Sequence, residues 1–558
     1  MNVISEIKIF LWREFRYLFL SLSSVKLLVG ESRRKNRNKD MQRKLIYCLV
    51  SIALLSVAWL GGLGFTTLVG LVPLLLISSS LGDSARDWWR MAGWAALTFV
   101  GWNVATVWWI ANATPIGPVA ATFFSSWWMM VAFMLFHYVS KRAPKVIAYT
   151  ILVAAWVATE HLYTHTEVIS FPWLALGNAF SQSPWAVQWY SLTGVEGGSM
   201  WVMLCNIAAL ETWQQRTRFS MVRAVTVAVV PVVASLIIYW SYEPSSQRAT
   251  VAVVQPNVDC YEEKFNNTAE AQIQNLQMLL SEVPSTADVV VMPETALPGT
   301  IDEEELQLSP AVSRLRETLR QSHPETMVAV GASTVKIYES QQRPTTTART
   351  GMGFYYDVYN SAIAINGDGK DDLHHKMRLV IGVEAMPAFV SQLDSFIDLG
   401  GITGQLGRND EATVFHKREV VAGPAICYEG LYGDAFARFA REGANLMLVM
   451  SNDGWWGNTP GHKRLFDFCR LRAIETRRAI ARSANTGVSG FITSRGDVLQ
   501  RMDWDERGVL TDEVELSERL TPYVIYGDWV GRMSLLMSFL GIMYFSAYRI
   551  RRRNHLVD

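Results

Sequence analysis

The chain has 558 residues, of which 50% are hydrophobic and 21 are tryptophan, while 18% are charged. That apolar content excludes an ordinary soluble enzyme and the charges exclude a protein lying wholly in lipid, so apolar and polar segments must be segregated along the chain. The 51 Lys and Arg balance 51 Asp and Glu, a net charge of zero that gives no reason to expect nucleic acid as a partner.

Residues 1–44 form an N-terminal extension in which Ile4, Ile7, Phe10, Leu11, Phe15, Leu18 and Leu22 recur at roughly helical spacing. Lys8, Arg13, Glu14 and Arg16 interrupt the run too often for a membrane span, which leaves an interfacial amphipathic helix or an unstructured extension. Its basic cluster follows the apolar part and no small-residue cleavage site appears, so it is not a cleavable signal peptide.

Crossing about 30 Å of hydrocarbon takes about 20 apolar residues. Eight stretches qualify: 45–61, 65–81, 91–111, 118–139, 146–163, 194–210, 224–240 and 529–548. Charge tests the count. With a cytoplasmic N-terminus, the inner segments hold Arg33, Arg34, Lys35, Arg37, Lys39, Arg43 and Lys44; Arg86 and Arg90; Lys141, Arg142 and Lys145; Arg216, Arg218 and Arg223; and Arg549 with Arg551 to Arg553. The short outer loops near 62–64, 112–117 and 164–193 hold no Lys or Arg, and one missed span would scramble that alternation. The expected division is a bundle of seven spans over 45–240, an outer domain over 241–525, and a last span with a basic cytoplasmic tail over 526–558.

The outer block reads as α/β. Short β-type runs at 250–254, 288–292, 327–331, 360–365, 420–426 and 446–450 alternate with helical patterns at 268–282 and 462–478. Two runs end in chemistry: 288–292 leads into Glu294, and 420–426 into Cys427. Lys376 lies between them. Cysteine is a strong nucleophile only as thiolate and, with an ordinary pKa of about 8.5, needs a base or cation beside it; Glu294 can be the base and Lys376 the cation. Residue types alone equally allow a small core Cys427, a capping Glu294 and a surface Lys376, because such a set is recognised by geometry.

The remaining cysteines are Cys48 and Cys205, inside spans, and Cys260 and Cys469, which an oxidising compartment could pair while leaving Cys427 free. No spaced His/Cys set and no Gly-rich phosphate loop appears, so neither a metal nor a nucleotide cofactor is expected. His374 and His375 adjoin Lys376 but point to opposite faces of an extended strand. Glu160 and His161, near the outer end of the fifth span, receive no catalytic role.

The blocks Met292-Pro293-Glu294-Thr295-Ala296, Lys376-Met377-Arg378-Leu379-Val380 with Glu384, and Ile426-Cys427-Tyr428-Glu429 resemble the three signature blocks of the nitrilase superfamily. Phe171-Pro172-Trp173, Gly194-Val195-Glu196-Gly197, Ser451-Asn452-Asp453-Gly454-Trp455-Trp456 and Ala484-Asn485-Thr486-Gly487 narrow the resemblance to its membrane-bound branch, the apolipoprotein N-acyltransferases. The block after Lys376 departs from the commoner Val-Pro-Phe-Gly-Glu form, reading Val-Ile-Gly-Val-Glu over 380–384.

The resemblance implies an eight-span helical membrane domain joined to an α-β-β-α sandwich, held in a bacterial inner membrane with the catalytic domain on the periplasmic side and acting as a monomer. It implies transfer of an acyl chain from a phospholipid such as phosphatidylethanolamine, through a Cys427 thioester, to the α-amino group of a diacylglyceryl-cysteine that begins an apolipoprotein. Glu294 would be the proton acceptor and Lys376 the oxyanion stabiliser, its charge also favouring the thiolate. Glu384 would orient or charge-balance Lys376, and Glu429, beside Tyr428, would orient Lys376 or bind an amine. Phe265 would contact acyl chains. Trp455 and Trp456 are expected on the loop through which lipid reaches the site, or else in the core. A membrane-bound amidase or lipid hydrolase using the same three residues is the alternative, and a noncatalytic scaffold another.

Overall fold

The computed structural model describes residues 33–166, 169–260, 268–340, 342–385 and 405–554. The expected segments are laid down in order: long apolar helices, then a β-rich domain, then a final helix. The two possibilities for the N-terminal extension fall mostly on residues outside the described ones. The first described helix, Arg33–Leu60, runs through the expected boundary at residue 44 without a break.

Among the described residues, six helices are long and apolar enough to cross a membrane: Asn38–Leu60, Ala85–Asn112, Gly117–Ser140, Lys145–Thr164, Arg218–Ser241 and Trp529–Arg552. The count of eight differs at two places, each for a physical reason. The 65–81 stretch is the shorter apolar segment Gly64–Ser80, a chain of brief helices with Pro73 at the start of its last piece. The 194–210 stretch lies in Tyr190–Gln215, broken at Gly194 (φ 64°) and burying the polar Glu196, Ser199 and Asn206. Both are interior. Asn206 ties them together, accepting from Leu71 N at 2.8 Å and donating to the Thr67 carbonyl at 2.8 Å.

The β-rich domain contains strands β1 (Arg248–Gln255), β2 (Val289–Val291), β3 (Thr300–Asp302), β4 (Met327–Tyr338), β5 (Arg349–Thr350), β6 (Tyr355–Asn366) and β7 (Asp372–His375) in one eight-stranded sheet with β14 (Gly508–Glu515). A six-stranded sheet holds β8 (Phe415–Lys417), β9 (Val420–Ile426), β10 (Leu446–Ser451), β11 (Ala479–Ala484), β12 (Ser489–Ile492) and β13 (Val498–Met502). The centre of each is parallel: β1, β2 and β4 in the first, β9, β10 and β11 in the second.

Alternation along the strands makes the layers. Val251, Val253, Val289 and Val291 join one core with residues of β9 and β10, while Ala252, Val254, Val290 and Met292 join a second under the helices Ala269–Ser281 and Pro310–Ser322. Residues two apart share a face, so one face of the sheet meets the other sheet and its opposite face meets helices. Gly433–Arg441 and Pro460–Thr476 pack beside the six-stranded sheet. The result is the expected α-β-β-α sandwich, with catalytic candidates where strands stop.

Candidate active site

Each of the three candidate groups leaves the end of a strand: Glu294 follows β2, Lys376 follows β7, and Cys427 follows β9. The sandwich brings them together. The Lys376 ammonium donates to Glu294 Oε1 at 2.8 Å and lies 2.9 Å from Glu384 Oε2. The Cys427 thiol hydrogen-bonds to the Glu294 carboxylate. All three are buried, Lys376 to within 1% of completely.

Both turns that carry reacting groups hold residues in the left-handed region, Cys427 at φ 48° and Thr295, directly after Glu294, at φ 47°. Such conformations cost about 1–3 kcal/mol each and persist where surrounding contacts enforce them. For Cys427 the enforcing group is Glu429. Its carboxylate accepts from Ile426 N and from Met377 N, both at 2.6 Å, and thus fastens the nucleophile's turn to the segment carrying Lys376. For the Glu294 turn the enabling residue is Gly331 on β4: an added Cβ would stand 2.5 Å from Glu294 Cα and 2.6 Å from the Pro293 carbonyl oxygen.

Charges here are balanced by contact. Burial alone would push the Glu294 carboxyl up, but the Lys376 ammonium and hydrogen bonds from Lys376, Asn360 and Cys427 outweigh it, and the net shift is downward. Burial likewise disfavours the Lys376 ammonium, and the carboxylates of Glu294 and Glu384 more than restore it. The Cys427 thiol is pushed well above its ordinary range by burial and then by the Glu294 carboxylate, with Lys376 opposing them. Lys376 favours the thiolate as expected, but burial beside a carboxylate outweighs it. The resting site holds carboxylate, ammonium and neutral thiol. Burial also raises the Glu429 carboxyl, to about 7.

Glu384 meets Lys376 as expected and accepts from Val380 N at 2.7 Å, so the departure of the 380–384 block leaves this contact in place. Glu429 accepts its hydrogen bonds from backbone, at Ile426 and at Met377, the residue after Lys376, rather than from the Lys376 side chain. Tyr428 points away from the sulfur and donates to the Ser170 carbonyl at 2.9 Å, a contact with the membrane bundle. Trp455 and Trp456 close the short helix Asp453–Trp456 and are half-buried. Trp456 packs on Trp109 (4.9 Å between ring centres) and Trp173 (6.2 Å), and its carbonyl accepts from Asn112 at 2.8 Å. It is neither a domain-core residue nor free; it docks the sheet domain on the bundle. Phe265 lies outside the described residues.

Several supporting groups escaped the sequence reading. Asn360 on β6 donates to Glu294 Oε1 at 2.8 Å and to Glu384 Oε1 at 2.6 Å, bridging two carboxylates; an Asn inside a strand pattern gives no signal. Ser451 hydrogen-bonds to the Cys427 sulfur and to Asp453, whose carboxylate is paired at 2.8 Å with the fully buried Arg482. Asn452 N donates to Glu294 Oε2 at 3.1 Å, and the Asn452 side chain accepts from Asn485 at 3.2 Å. The signal for these was present, since 451–456 and 484–487 stand out as motifs.

The other motifs build the seam. Trp173 stacks on Phe171 and packs against Trp109 and Phe468, Gly194 admits the Tyr523 ring, and Glu196 accepts from Gly531 N at 2.7 Å. His161 sits 2.6 Å from Glu196, a structural pairing. His374 packs against Phe439 while His375 stacks on Tyr359, so they face opposite ways. No disulfide joins Cys260 to Cys469: Cys260 donates to Asn452 and Cys469 to the Leu465 carbonyl.

Comparison with known proteins agrees with this architecture. Residues 250–520 match the sequence model of the carbon-nitrogen hydrolases, which defines the sheet domain as a nitrilase-superfamily domain. Residues 51–208 match the apolipoprotein N-acyltransferase N-terminal domain. The apolipoprotein N-acyltransferase of Chlorobaculum tepidum is 28% identical over 84% of this chain and 89% of its own, and that of Allorhizobium ampelinum 29% identical over 78% and 82%. The chain belongs to the apolipoprotein N-acyltransferase family of the nitrilase superfamily. Among solved structures, Saccharomyces cerevisiae Nit3, a nitrilase-superfamily member, is similar at 17% identity and a TM-score of 0.36 over 51% of this chain and 94% of that one.

Proposed function

We propose that this multi-pass membrane protein is an N-acyltransferase of lipoprotein maturation that moves a fatty acyl chain from a membrane phospholipid to the amino terminus of a diacylated apolipoprotein by way of a thioester on Cys427. Relatives named for that activity, matched over most of the chain, support the reaction. One observation carries the chemistry: a neutral buried thiol hydrogen-bonded to a carboxylate that an ammonium holds in its charged form.

In the first half-reaction the Cys427 sulfur attacks the ester carbonyl carbon as Glu294 takes the thiol proton. Because the thiol is pushed up and the carboxyl down, proton transfer ahead of attack is uphill, so the two events are coupled. The Lys376 ammonium and the Tyr428 backbone N–H stabilise the oxyanion, worth typically about 3 kcal/mol per donor. Collapse breaks the ester C–O bond, the lysophospholipid oxygen takes the proton from Glu294, and the thioester remains. In the second half-reaction the acceptor amine attacks the thioester, Glu294 removes its proton, and the departing Cys427 sulfur takes that proton back. Glu384 and Asn360 position Lys376 and Glu294 throughout.

The donor is a phospholipid of the phosphatidylethanolamine type. Gly64–Ser80 and Tyr190–Gln215 join the six long helices as interior crossings, which completes eight spans, puts residues 241–525 on the periplasmic side of an inner membrane and leaves the basic ends inside. Both substrates are then anchored in the bilayer beside the site, and one copy of the chain suffices. Trp455 and Trp456 flank the acyl path.

The test is product analysis with purified protein, phosphatidylethanolamine and a diacylated lipopeptide. Equimolar N-acylated lipopeptide and lysophospholipid are expected. Free fatty acid without N-acylated peptide would instead establish a hydrolase.

A further inference from the structure

The end of the bundle remote from the sheet domain holds a cavity that acyl transfer does not use. The span Ala85–Asn112 leads to Trp456 at its far end and, at 1.5 Å per residue, separates the two ends by about 40 Å. At the near end a cavity of about 320 Å³ is walled by the loop 82–85, Trp88, Trp89, Tyr138, Lys141 and Arg142. The loop leads directly into the N-terminus of the helix Ala85–Val107, the positive end of its dipole.

Charge around this cavity is unequal. Arg90, Lys141, Arg142 and Arg549 gather against two carboxylates, Asp83 and Asp87. Asp83 pairs with Arg142, and Asp87 is occupied by Arg90 at 3.1 Å and by the Ser84 hydroxyl at 2.8 Å. Among the described residues, Lys141 has no salt-bridged carboxylate. Its ammonium donates to the Ser78 carbonyl at 2.7 Å, which leaves further donors for an anion.

The cations are held in place. Arg142 stacks at 3.9 Å over the Tyr138 ring and donates to the Tyr138 carbonyl, while Arg549 donates to the Tyr138 hydroxyl. Indole completes the wall: Trp88 and Trp89 meet edge to face at 4.7 Å, and Trp89 is 69% exposed where such rings sit at a headgroup boundary. A bare phosphate would fill little of this volume and would not use the aromatic wall. A phosphodiester with its glycerol would use both.

We propose that this cavity binds the phosphate-bearing headgroup of an anionic phospholipid, at the membrane end opposite the acyl-transfer site. Basic pockets between transmembrane helices serve this purpose where like charges would otherwise repel one another. The site rests on reading the helices as membrane spans but is independent of the chemistry at Cys427.

The experiment measures lipid retained by the full chain in zwitterionic detergent, by native mass spectrometry, with phosphatidylglycerol, phosphatidylethanolamine or inorganic phosphate added and no acceptor. One phosphatidylglycerol is expected to be held about tenfold more tightly than phosphatidylethanolamine, and inorganic phosphate at the same concentration should not displace it. Lys141→Gln keeps a donor for Ser78 and should weaken that binding about fivefold, roughly one surface charge. Lys141→Glu should abolish the preference, and both variants should keep normal acyl transfer in detergent. Equal retention of the two lipids, a preference unchanged in both variants, or displacement by inorganic phosphate would overturn the proposal while leaving the reaction at Cys427 unaffected.

Discussion

The sheet domain and the helical bundle treat the same side chains in opposite ways. In the sandwich, charged groups go inside: Lys376, Asp453 and Arg482 are essentially buried, and each has a partner. In the bundle, cations stay at helix ends, while Phe219, Val146, Trp240 and Ile237 stand more than 60% exposed, facing outward. A dry protein interior amplifies every charge–charge contact, and a lipid-facing surface tolerates none. The acyl-transfer chemistry needs the first and its substrates need the second, which explains a site built just behind a seam of Trp109, Trp173 and Trp456.

Substitutions can separate the two regimes. The largest effect is expected at Lys376. Lys376→Arg should cut turnover by at least about 100-fold, because a planar fork replaces a compact ammonium between two carboxylates. Near-normal steady-state turnover would remove its oxyanion role. Next comes Gly331→Ala, which touches no substrate yet must displace the Glu294 turn; a shift of about 1 Å should cost on the order of 100-fold in turnover, with the fold retained by circular dichroism.

pH probes the same interior. With the Cys427 thiol raised well above the ordinary 9.0 of a thiol, alkylation should keep accelerating as pH rises past 9, whereas a thiolate stabilised by Lys376 would level off near neutrality. The Glu294 carboxyl is lowered from 4.5, so its carboxylate and the stability it gives persist on acidification until below that value; an acid limb from Glu294 in donor-lipid cleavage should lie there too. The smallest effect belongs to the seam. Tyr428→Phe removes one hydrogen bond to Ser170, worth about 1 kcal/mol, and should lower transfer only a few-fold, read as initial rate in bilayers. A loss as large as that of Lys376→Arg would place Tyr428 in the chemistry instead.

Much of this was legible in the sequence because two periodicities do not overlap. Runs of 20 apolar residues and short β-branched runs are distinct signals, and Glu294, Lys376 and Cys427 stand at strand ends where catalytic groups converge. Interior contact was not legible. Asn360 is one polar residue in a strand, and only the register of β6 against β4 puts it over Glu294. Trp456 could not be divided between core and lipid path, because its partners Trp109 and Trp173 lie more than 280 residues away. Hydropathy does not distinguish long uninterrupted helices from short or broken interior ones, as at Gly64–Ser80 and at the break in Tyr190–Gln215. The sign of the thiol's shift depended on burial, which no motif encodes.

The central claim is a covalent one: sulfur at Cys427 carries the acyl chain between two lipids. Intact-mass spectrometry of the protein after incubation with phosphatidylethanolamine and no acceptor tests it most directly. A single acyl adduct is expected, mapped to Cys427, absent in Cys427→Ala and Glu294→Gln, and discharged when a diacylated lipopeptide is added. An unmodified protein that still produces N-acylated lipopeptide, or an adduct on another residue, would contradict the account.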